Sequence, residues 1–270
     1  MSDVFTLRRG QEPLVISIPH SGLDVPEDIA ARFAPAAEGL PDTDWFVDRL
    51  YAFAESLDAT IICAKYSRYV IDLNRDPGGG SLYPGQATTG LVPVQRFDGT
   101  PLYQDGKEPD EAEIEARRAR YFDPYHRAIA EELGRVRTLH GYGVLYDAHS
   151  IASVVPRLFE GELPVLNLGT NRGQTCAPEI ERAAMKAMLA QDEFEAISNG
   201  RFKGGWITRS FGRPHTNVHA LQMELAQRAY MDEASVTYDE TKAALLQPVL
   251  KSILEAAMNA AERLHWEVAK

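Results

Sequence analysis

Two histidines stand at the ends of short apolar runs in this chain. Residues 16–19 lead into His20, and residues 144–146 are followed within three positions by His149. A third run, residues 220–223, leads into Glu224 in the same way. In α/β proteins, ligands and catalytic groups gather where strands end at their carboxyl edge. Two imidazoles and a carboxylate at three such edges predict a metal-dependent hydrolase.

The metal ligands of such a site can be named from the sequence. Catalytic zinc takes about three protein ligands from His, Asp or Glu and leaves one position for water. We expect His20 and His149 to provide two ligands and Asp44 the third, because Asp44 opens the helix predicted after His20. Asp42 is the alternative, although its position first suggests a helix cap. Glu224 would serve as general base beside the metal, unless it is a surface residue of an alternating strand. Each histidine could also be an ordinary buried residue.

Arginines near a glycine-rich loop suggest a site for a small anion. Arg68 and Arg75 lie seven positions apart around a predicted strand, and Asn74-Arg75 comes shortly before residues 78–90, a loop with three consecutive glycines. The planar guanidinium matches a carboxylate with two parallel hydrogen bonds. Residues 201–209 add Arg209 and a Gly-Gly pair, which suits either a specificity loop or an ordinary hairpin turn. The alternative is that Arg68 and Arg75 form surface ion pairs, which contribute only ~0–1 kcal/mol.

The periodicity of apolar residues predicts alternating strands and helices. We expect strands at 14–19, 60–64, 69–73, 144–146 and 218–224, and helices at 27–33, 44–57, 110–138, 178–189 and 241–268. Pro124 should kink or divide the third of these helices. This order predicts one α/β domain over residues 1–270, with helices flanking a central, mixed, mostly parallel sheet.

Composition limits the partners and the compartment of the chain. The 270 residues carry a formal net charge of -11, which argues against non-specific binding to nucleic acid. No run of 18 apolar residues occurs, so no membrane-spanning segment is expected. The two cysteines, Cys63 and Cys176, form no disulfide framework, which favours the cytoplasm. The sequence leaves the oligomeric state open.

The motifs, taken together and in order, resemble those of the N-formylglutamate amidohydrolases (N-formylglutamate deformylases) over nearly the whole chain. The matching blocks are residues 19–22, 42–45, 67–75, 81–86, 146–150, 167–170, 200–208 and 219–230. The resemblance implies a zinc-carboxypeptidase-like (phosphorylase/hydrolase-like) fold with one divalent metal ion, expected to be zinc. It also implies that His20, Asp44 and His149 are the metal ligands and that Glu224 is the general base. The carboxypeptidase H-x-x-E pairing is absent, because Leu23 stands where its glutamate would be.

The resemblance further implies a reaction and a substrate. The reaction is hydrolysis of N-formyl-L-glutamate to formate and L-glutamate, a last step of one route of histidine degradation. Asn74 and Arg75 look like the pair that binds a substrate carboxylate, Arg68 or Arg209 would stabilise the oxyanion, and Tyr83 would border the substrate pocket. Two alternatives remain open: a deacylase for another N-acyl amino acid, and a non-catalytic protein that binds acidic amino acids.

Overall fold

A seven-stranded sheet forms the centre of the molecule. A computed structural model describes residues 4–80, 85 and 88–268 of the chain. The strands of the sheet, in chain order, are β1 (Phe5–Arg8), β2 (Leu14–Ile18), β3 (Thr60–Ala64), β4 (Gly143–Ile151), β5 (Leu166–Gly169), β6 (Ala196–Ser198) and β7 (Val218–Ala226). A separate hairpin pairs β8 (Met231–Asp232) with β9 (Thr237–Tyr238).

The order of the strands decides which chain segments meet at each edge. The order is β1-β3-β2-β4-β7-β5-β6, and the four strands β3, β2, β4 and β7 run parallel to one another. β1 runs antiparallel to β3, and β5 runs antiparallel to β7. The predicted fold class, a mixed and mostly parallel sheet flanked by helices, is therefore confirmed.

Helices cover both faces of this sheet. They are α1 (Glu27–Ala30), α2 (Val47–Leu50), α3 (Glu111–Arg117), α4 (Asp123–His140), α5 (Pro178–Met188), α6 (Trp206–Phe211) and α7 (Glu240–Val268). α2, α5 and α7 pack on one face of the sheet, against alternate residues such as Ile16, Tyr146 and Leu221. α4 and α6 pack on the other face, against the intervening residues such as Val15 and Leu145. Burial on both faces explains the nearly continuous apolar runs of the central strands.

The long helical segment predicted at 110–138 is divided, as Pro124 suggested. Asp110 caps α3 by accepting a hydrogen bond from the backbone N–H of Glu113 at 2.9 Å. The wider turn of a π-helix over Arg118–Phe122 separates α3 from α4, and Pro124 lies in the first turn of α4. A proline there removes one helical hydrogen-bond donor, so the irregular turn lies where a regular helix could not continue.

Several local predictions differ from the structure. The helix predicted at 44–57 does not begin at Asp44: α2 begins at Val47, and a 3-10 helix follows over Tyr51–Leu57. Residues 69–73, predicted as a strand, form turns in which the Asp72 carboxylate accepts the N–H of Asn74 at 2.9 Å. This short-range bond competes with strand pairing, which the apolar pattern alone does not reveal. Residues 201–209, predicted as a specificity loop or a hairpin turn, instead lead into the helix α6, which begins at Trp206. Across the described part of the chain, helices are too short or too polar to cross a membrane.

Candidate active site

Three predicted metal ligands converge in the structure. His20 follows β2, His149 lies near the end of β4, and Asp44 lies between them in the segment before α2. One ligand atom from each side chain lies within 4.8 Å of those from the other two, and all three residues are at most 2% exposed. Parallel pairing of β2 with β4 brings the histidines together. The N–H of Asp44 donates to the carbonyl of His20 at 3.1 Å, which ties the carboxylate to the same edge.

Each imidazole is held from behind by a buried aspartate. Nε2 of His20 lies 2.8 Å from Oδ1 of Asp72, and Nε2 of His149 lies 2.8 Å from Oδ2 of Asp147. An ionised carboxylate only accepts hydrogen bonds, so each Nε2 must carry the proton. In a neutral ring this leaves a lone pair on each Nδ1. Aspartates that fix imidazoles in this way are common around metal ions.

Sequence reasoning missed both of these aspartates. Asp147 stands two residues before His149 in the same strand, so the two side chains share one face of the sheet. That spacing was available as a signal in the sequence. Asp72 lies in the turn segment that was predicted as a strand, and no comparable spacing points to its contact with His20.

The convergent atoms fit a cation. Nδ1 of His149 and Nδ1 of His20 lie 3.0 and 3.6 Å from the same oxygen, Oδ2 of Asp44. Nδ1 of His20 is buried and has no hydrogen-bond partner among the described residues. Ligand atoms about 2.1 Å from a tetrahedral zinc ion lie about 3.4 Å apart, close to both distances. Two nitrogens and one carboxylate oxygen are also a donor set that zinc favours.

The electrostatics of the cluster favour positive charge. Burial opposes the ionisation of His149, but Asp147 and Asp44 outweigh burial and raise its pKa well above the usual range. Burial likewise opposes the ionised form of Asp44, while the adjacent His20 and His149 hold its pKa well below the usual range. The cluster therefore combines ionised carboxylates with groups that stabilise a cation placed between them.

Arg68 and Arg75 compensate the buried acids. One guanidinium nitrogen of Arg68 donates to Asp44 Oδ1 at 3.2 Å and the other to Asp72 Oδ2 at 2.7 Å. Nη2 of Arg75 lies 3.6 Å from the same oxygen of Asp72. Burial alone would raise the pKa of Asp72, but Arg75, Arg68 and His20 hold it well below the usual range. Arg68 and Arg75 therefore belong to the ion network of the site and are not surface pairs.

Glu224 lies beside the cluster, on the strand next to His149. It is the register partner of His149 across β4 and β7 and is 7% exposed. Burial raises the pKa of Glu224 to about 8. The nearby His149 reduces this increase, and the nearby Asp44 adds to it. A cation held by the cluster would lower this pKa again, because positive charge favours the carboxylate. A carboxyl group tuned in this way can accept and return a proton near neutral pH.

Gln222 fixes the orientation of Glu224. The Oε1 atom of Gln222 accepts the backbone N–H of Gly205 at 2.6 Å, so its amide nitrogen faces the other way and donates to Glu224 Oε2 at 3.3 Å. Asn74 adds a longer bond to the same Oε1 atom, at 3.4 Å. A Cβ atom on residue 205 would lie 2.3 Å from the Asn74 side chain, so only glycine allows this close approach.

The predicted substrate-binding residues are not equivalent in the structure. Arg75 and Asn74 line the cavity in front of the cluster, but the Asn74 amide is already bonded to Asp147 and to the N–H of Ile207. The arginines among the described lining residues are Arg68, Arg75 and Arg201, and Arg209 is not one of them. Nε of Arg209 donates to the carbonyl of Gly204. Tyr83 lies outside the described residues.

His219, at the start of β7, is remote from the cavity. It lies five residues before Glu224, about 16 Å along an extended strand. Its Nδ1 accepts the backbone N–H of Ala177 at 3.3 Å, and burial lowers its pKa to about 4. We therefore regard His219 as a structural residue that supports the segment leading into α5.

Comparisons with known proteins give the same family as the motifs. Residues 12–231 match the sequence profile described as N-formylglutamate amidohydrolase. The chain is 46% identical to an N-formylglutamate deformylase of Pseudomonas aeruginosa and 43% identical to one of Pseudomonas putida. Each match spans 259 residues, 96% of this chain and 97% of the relative.

Solved structures extend the comparison to the fold. An N-formylglutamate amidohydrolase from Ralstonia eutropha JMP134 is similar with a TM-score of 0.76 at 26% identity, over 98% of both chains. A gene product of Agrobacterium tumefaciens has a similar fold, with a TM-score of 0.67 at 17% identity over 94% of this chain and 95% of that one. The resemblance seen in the motifs is confirmed, and the chain belongs to the N-formylglutamate amidohydrolase family.

Proposed function

We propose that this enzyme hydrolyses N-formyl-L-glutamate to formate and L-glutamate. The names of the two Pseudomonas relatives support this substrate. The observation that carries the proposal is the buried convergence of His20, Asp44 and His149 beside Glu224, in a cavity that arginines line. A site for simple binding of an acidic amino acid would need the arginines but not a metal cluster with a proton acceptor next to it. The place of this reaction in histidine degradation stays a prediction.

The metal site belongs to the same proposal. His20 and His149 would hold one divalent ion through their Nδ1 atoms, and Asp44 through Oδ2, with zinc as the expected ion. When bound, such an ion supplies a Lewis acid that polarises the formyl carbonyl and favours deprotonation of water at neutral pH. Asp72 and Asp147 keep the imidazoles in the tautomer that presents Nδ1 to the ion.

Glu224 carries the proton in the proposed mechanism. Its carboxylate accepts a proton from the water that attacks the formyl carbon, and the new C–O bond converts that carbon to a tetrahedral centre. The protonated carboxyl then donates the proton to the amide nitrogen as the C–N bond breaks. Breaking of the C–N bond releases formic acid and the amine of glutamate, and the acid ionises to formate by giving its proton to that amine. Gln222 holds Glu224 in position for both transfers.

The arginines bind and stabilise negative charge in this mechanism. Arg75 binds a substrate carboxylate at the cavity wall. Arg68 lines the same cavity, and we assign it to the developing oxyanion while it also holds Asp44 and Asp72. Asn74, whose amide already bonds within the protein, positions the Asp147 carboxylate behind His149. Roles for Arg209 and Tyr83 in binding substrate stay predictions from the family motifs.

The experiment combines formate release with metal analysis on purified protein. We expect the wild type to contain about one divalent ion per chain and to release formate from N-formyl-L-glutamate. Glu224→Gln should keep the metal and lose at least ~10²-fold in kcat, the usual contribution of a positioned proton acceptor. Glu38→Gln makes the same chemical change at an exposed position and should behave as wild type.

Two results would contradict the proposal in different ways. Near-normal turnover of Glu224→Gln would remove Glu224 from proton transfer. Metal-loaded wild type that releases no formate from N-formyl-L-glutamate, but acts on another N-acyl amino acid in the same panel, would assign the enzyme to a different substrate.

A further inference from the structure

A third arginine of the cavity, Arg201, lies in a different environment from Arg68 and Arg75. It lies three residues beyond β6, on the segment that leads to α6. Its Nε–H donates to the carbonyl of Leu158 at 2.6 Å, and its guanidinium carbon lies 5.3 Å from the centre of the Phe202 ring. Leu158 and Phe202 line the cavity together with it. The Leu158 carbonyl and the Phe202 ring therefore place the guanidinium at an apolar wall of the cavity.

The positive charges of Arg68 and Arg75 are largely matched by acids of the metal cluster. Arg68 bonds to Asp44 and Asp72, and Arg75 lies 3.6 Å from Asp72. Asp72 is also the residue that holds His20, so Arg75 belongs to the part of the cavity nearest the predicted metal ligands. Arg201 forms a second cationic position in the cavity, next to Leu158 and Phe202.

The proposed substrate carries two carboxylates at unequal distances from the bond that is cleaved. The α-carboxylate is attached to the same carbon as the formamide nitrogen. The side-chain carboxylate is two methylene groups further away. An arginine next to the metal cluster suits the first, whereas an arginine at an apolar wall suits the second, because that wall can cover the methylene groups.

We propose that Arg201 is a specificity-determining residue that binds the side-chain carboxylate of the substrate, while Arg75 binds the α-carboxylate. This inference rests on the proposed function. A neutral side chain would place an uncharged group opposite the Arg201 guanidinium. Sites built around a charged or hydrogen-bonding partner reject analogues that lack it by large factors.

The test uses three substrates that differ by single amide replacements. N-formyl-L-glutamate has both carboxylates, N-formyl-L-glutamine lacks the side-chain carboxylate, and the α-amide of N-formyl-L-glutamic acid lacks the other. Values of kcat/KM are measured for wild type, Arg201→Met and Arg75→Met. Arg201→Lys keeps the charge and should recover part of the activity. Arg182→Met changes an arginine whose side chain is 68% exposed and serves as the matched control.

The expected pattern is a cross-over between the two arginines. Arg201→Met should lower kcat/KM at least ~10²-fold for N-formyl-L-glutamate and for the α-amide, yet leave N-formyl-L-glutamine within about threefold of wild type. Arg75→Met should instead lower kcat/KM for N-formyl-L-glutamate and N-formyl-L-glutamine together. Arg201→Lys should keep a measurable preference for glutamate over glutamine.

Two patterns would overturn the inference, and a third would overturn the function beneath it. Equal losses on all three substrates for Arg201→Met would mean that Arg201 only supports the fold. Loss of the preference for glutamate over glutamine in Arg75→Met, but not in Arg201→Met, would reverse the assignment. Wild type that releases formate from none of the three substrates would instead refute the proposed function, which the other two patterns leave intact.

Discussion

Acid should destabilise this protein through one identifiable side chain, His219. The residue is 2% exposed, and its Nδ1 accepts the backbone N–H of Ala177. A ring nitrogen that accepts a hydrogen bond is unprotonated, so the folded protein holds His219 neutral. Protonation would break this bond and bury a charge. Burial accordingly lowers the pKa of His219 to about 4.

The size of the loss in stability follows from the difference between the pKa values of His219 in the folded and unfolded protein. An unfolded histidine has a pKa of about 6.5, so below that pH the unfolded chain binds more protons at this position than the folded one. The stabilisation is therefore present above pH 6.5 and is lost as the pH falls toward 4. Between pH 7 and pH 5 the free energy of unfolding should decrease by about 2 kcal/mol from His219 alone.

The assay compares urea unfolding of wild type and His219→Asn at pH 7, 6 and 5, with the same zinc concentration throughout. Asparagine places an amide oxygen near the position of Nδ1, so it can accept the N–H of Ala177 without titrating. Other acid-sensitive groups, the metal ligands included, are common to both proteins and cancel in the difference. Wild type should lose about 2 kcal/mol more than His219→Asn over this range. Parallel curves for the two proteins would refute the assignment.

The remaining predictions concern the support of the metal cluster. Asp147→Asn should weaken metal binding about 10- to 100-fold, because it removes the charge that orients His149. Competition with a chelator would measure this affinity. An unchanged affinity would mean that Asp147 contributes only to packing. Gly205→Ala should reduce formate release strongly, because its Cβ would collide with the Asn74 side chain. Gly134→Ala is the matched control and should stay active, because a Cβ added there meets no atom within 4 Å. Equal activity of the two variants would contradict the importance of the close approach of Gly205 to Asn74.

The sequence predicted the convergence of the histidines for a reason that the structure explains. His20 and His149 end or follow parallel strands that pair directly, so matching local patterns led to one edge of the sheet. The approach of Asp44 was less accessible, since it depends on a backbone bond to His20 and on Arg68, which no periodicity encodes. The spacing of apolar residues thus identified the strands, whereas the contacts that loop residues make could be seen only in the structure.

The contacts that the sequence did not predict are made by side chains of turns and loops. Asp72 was overlooked because a β-branched and aromatic segment was interpreted as a strand, although a turn closed by its own carboxylate prevails. The prediction that Asn74 contacts substrate stays a prediction, and the bonds of its amide to Asp147 and to the N–H of Ile207 were not indicated by any spacing in the sequence. Arg201 received no role, because a cation beside glycines does not reveal which wall of a cavity it will join.

The spacing of the three predicted ligands along the chain has a consequence for durability as well as for chemistry. Asp44 lies 24 residues after His20, and His149 lies 105 residues after Asp44. An ion shared by all three would cross-link distant segments much as a disulfide does, closing two loops whose freedom the unfolded chain would otherwise regain. Resistance to unfolding and catalytic competence would then depend on the same bound ion.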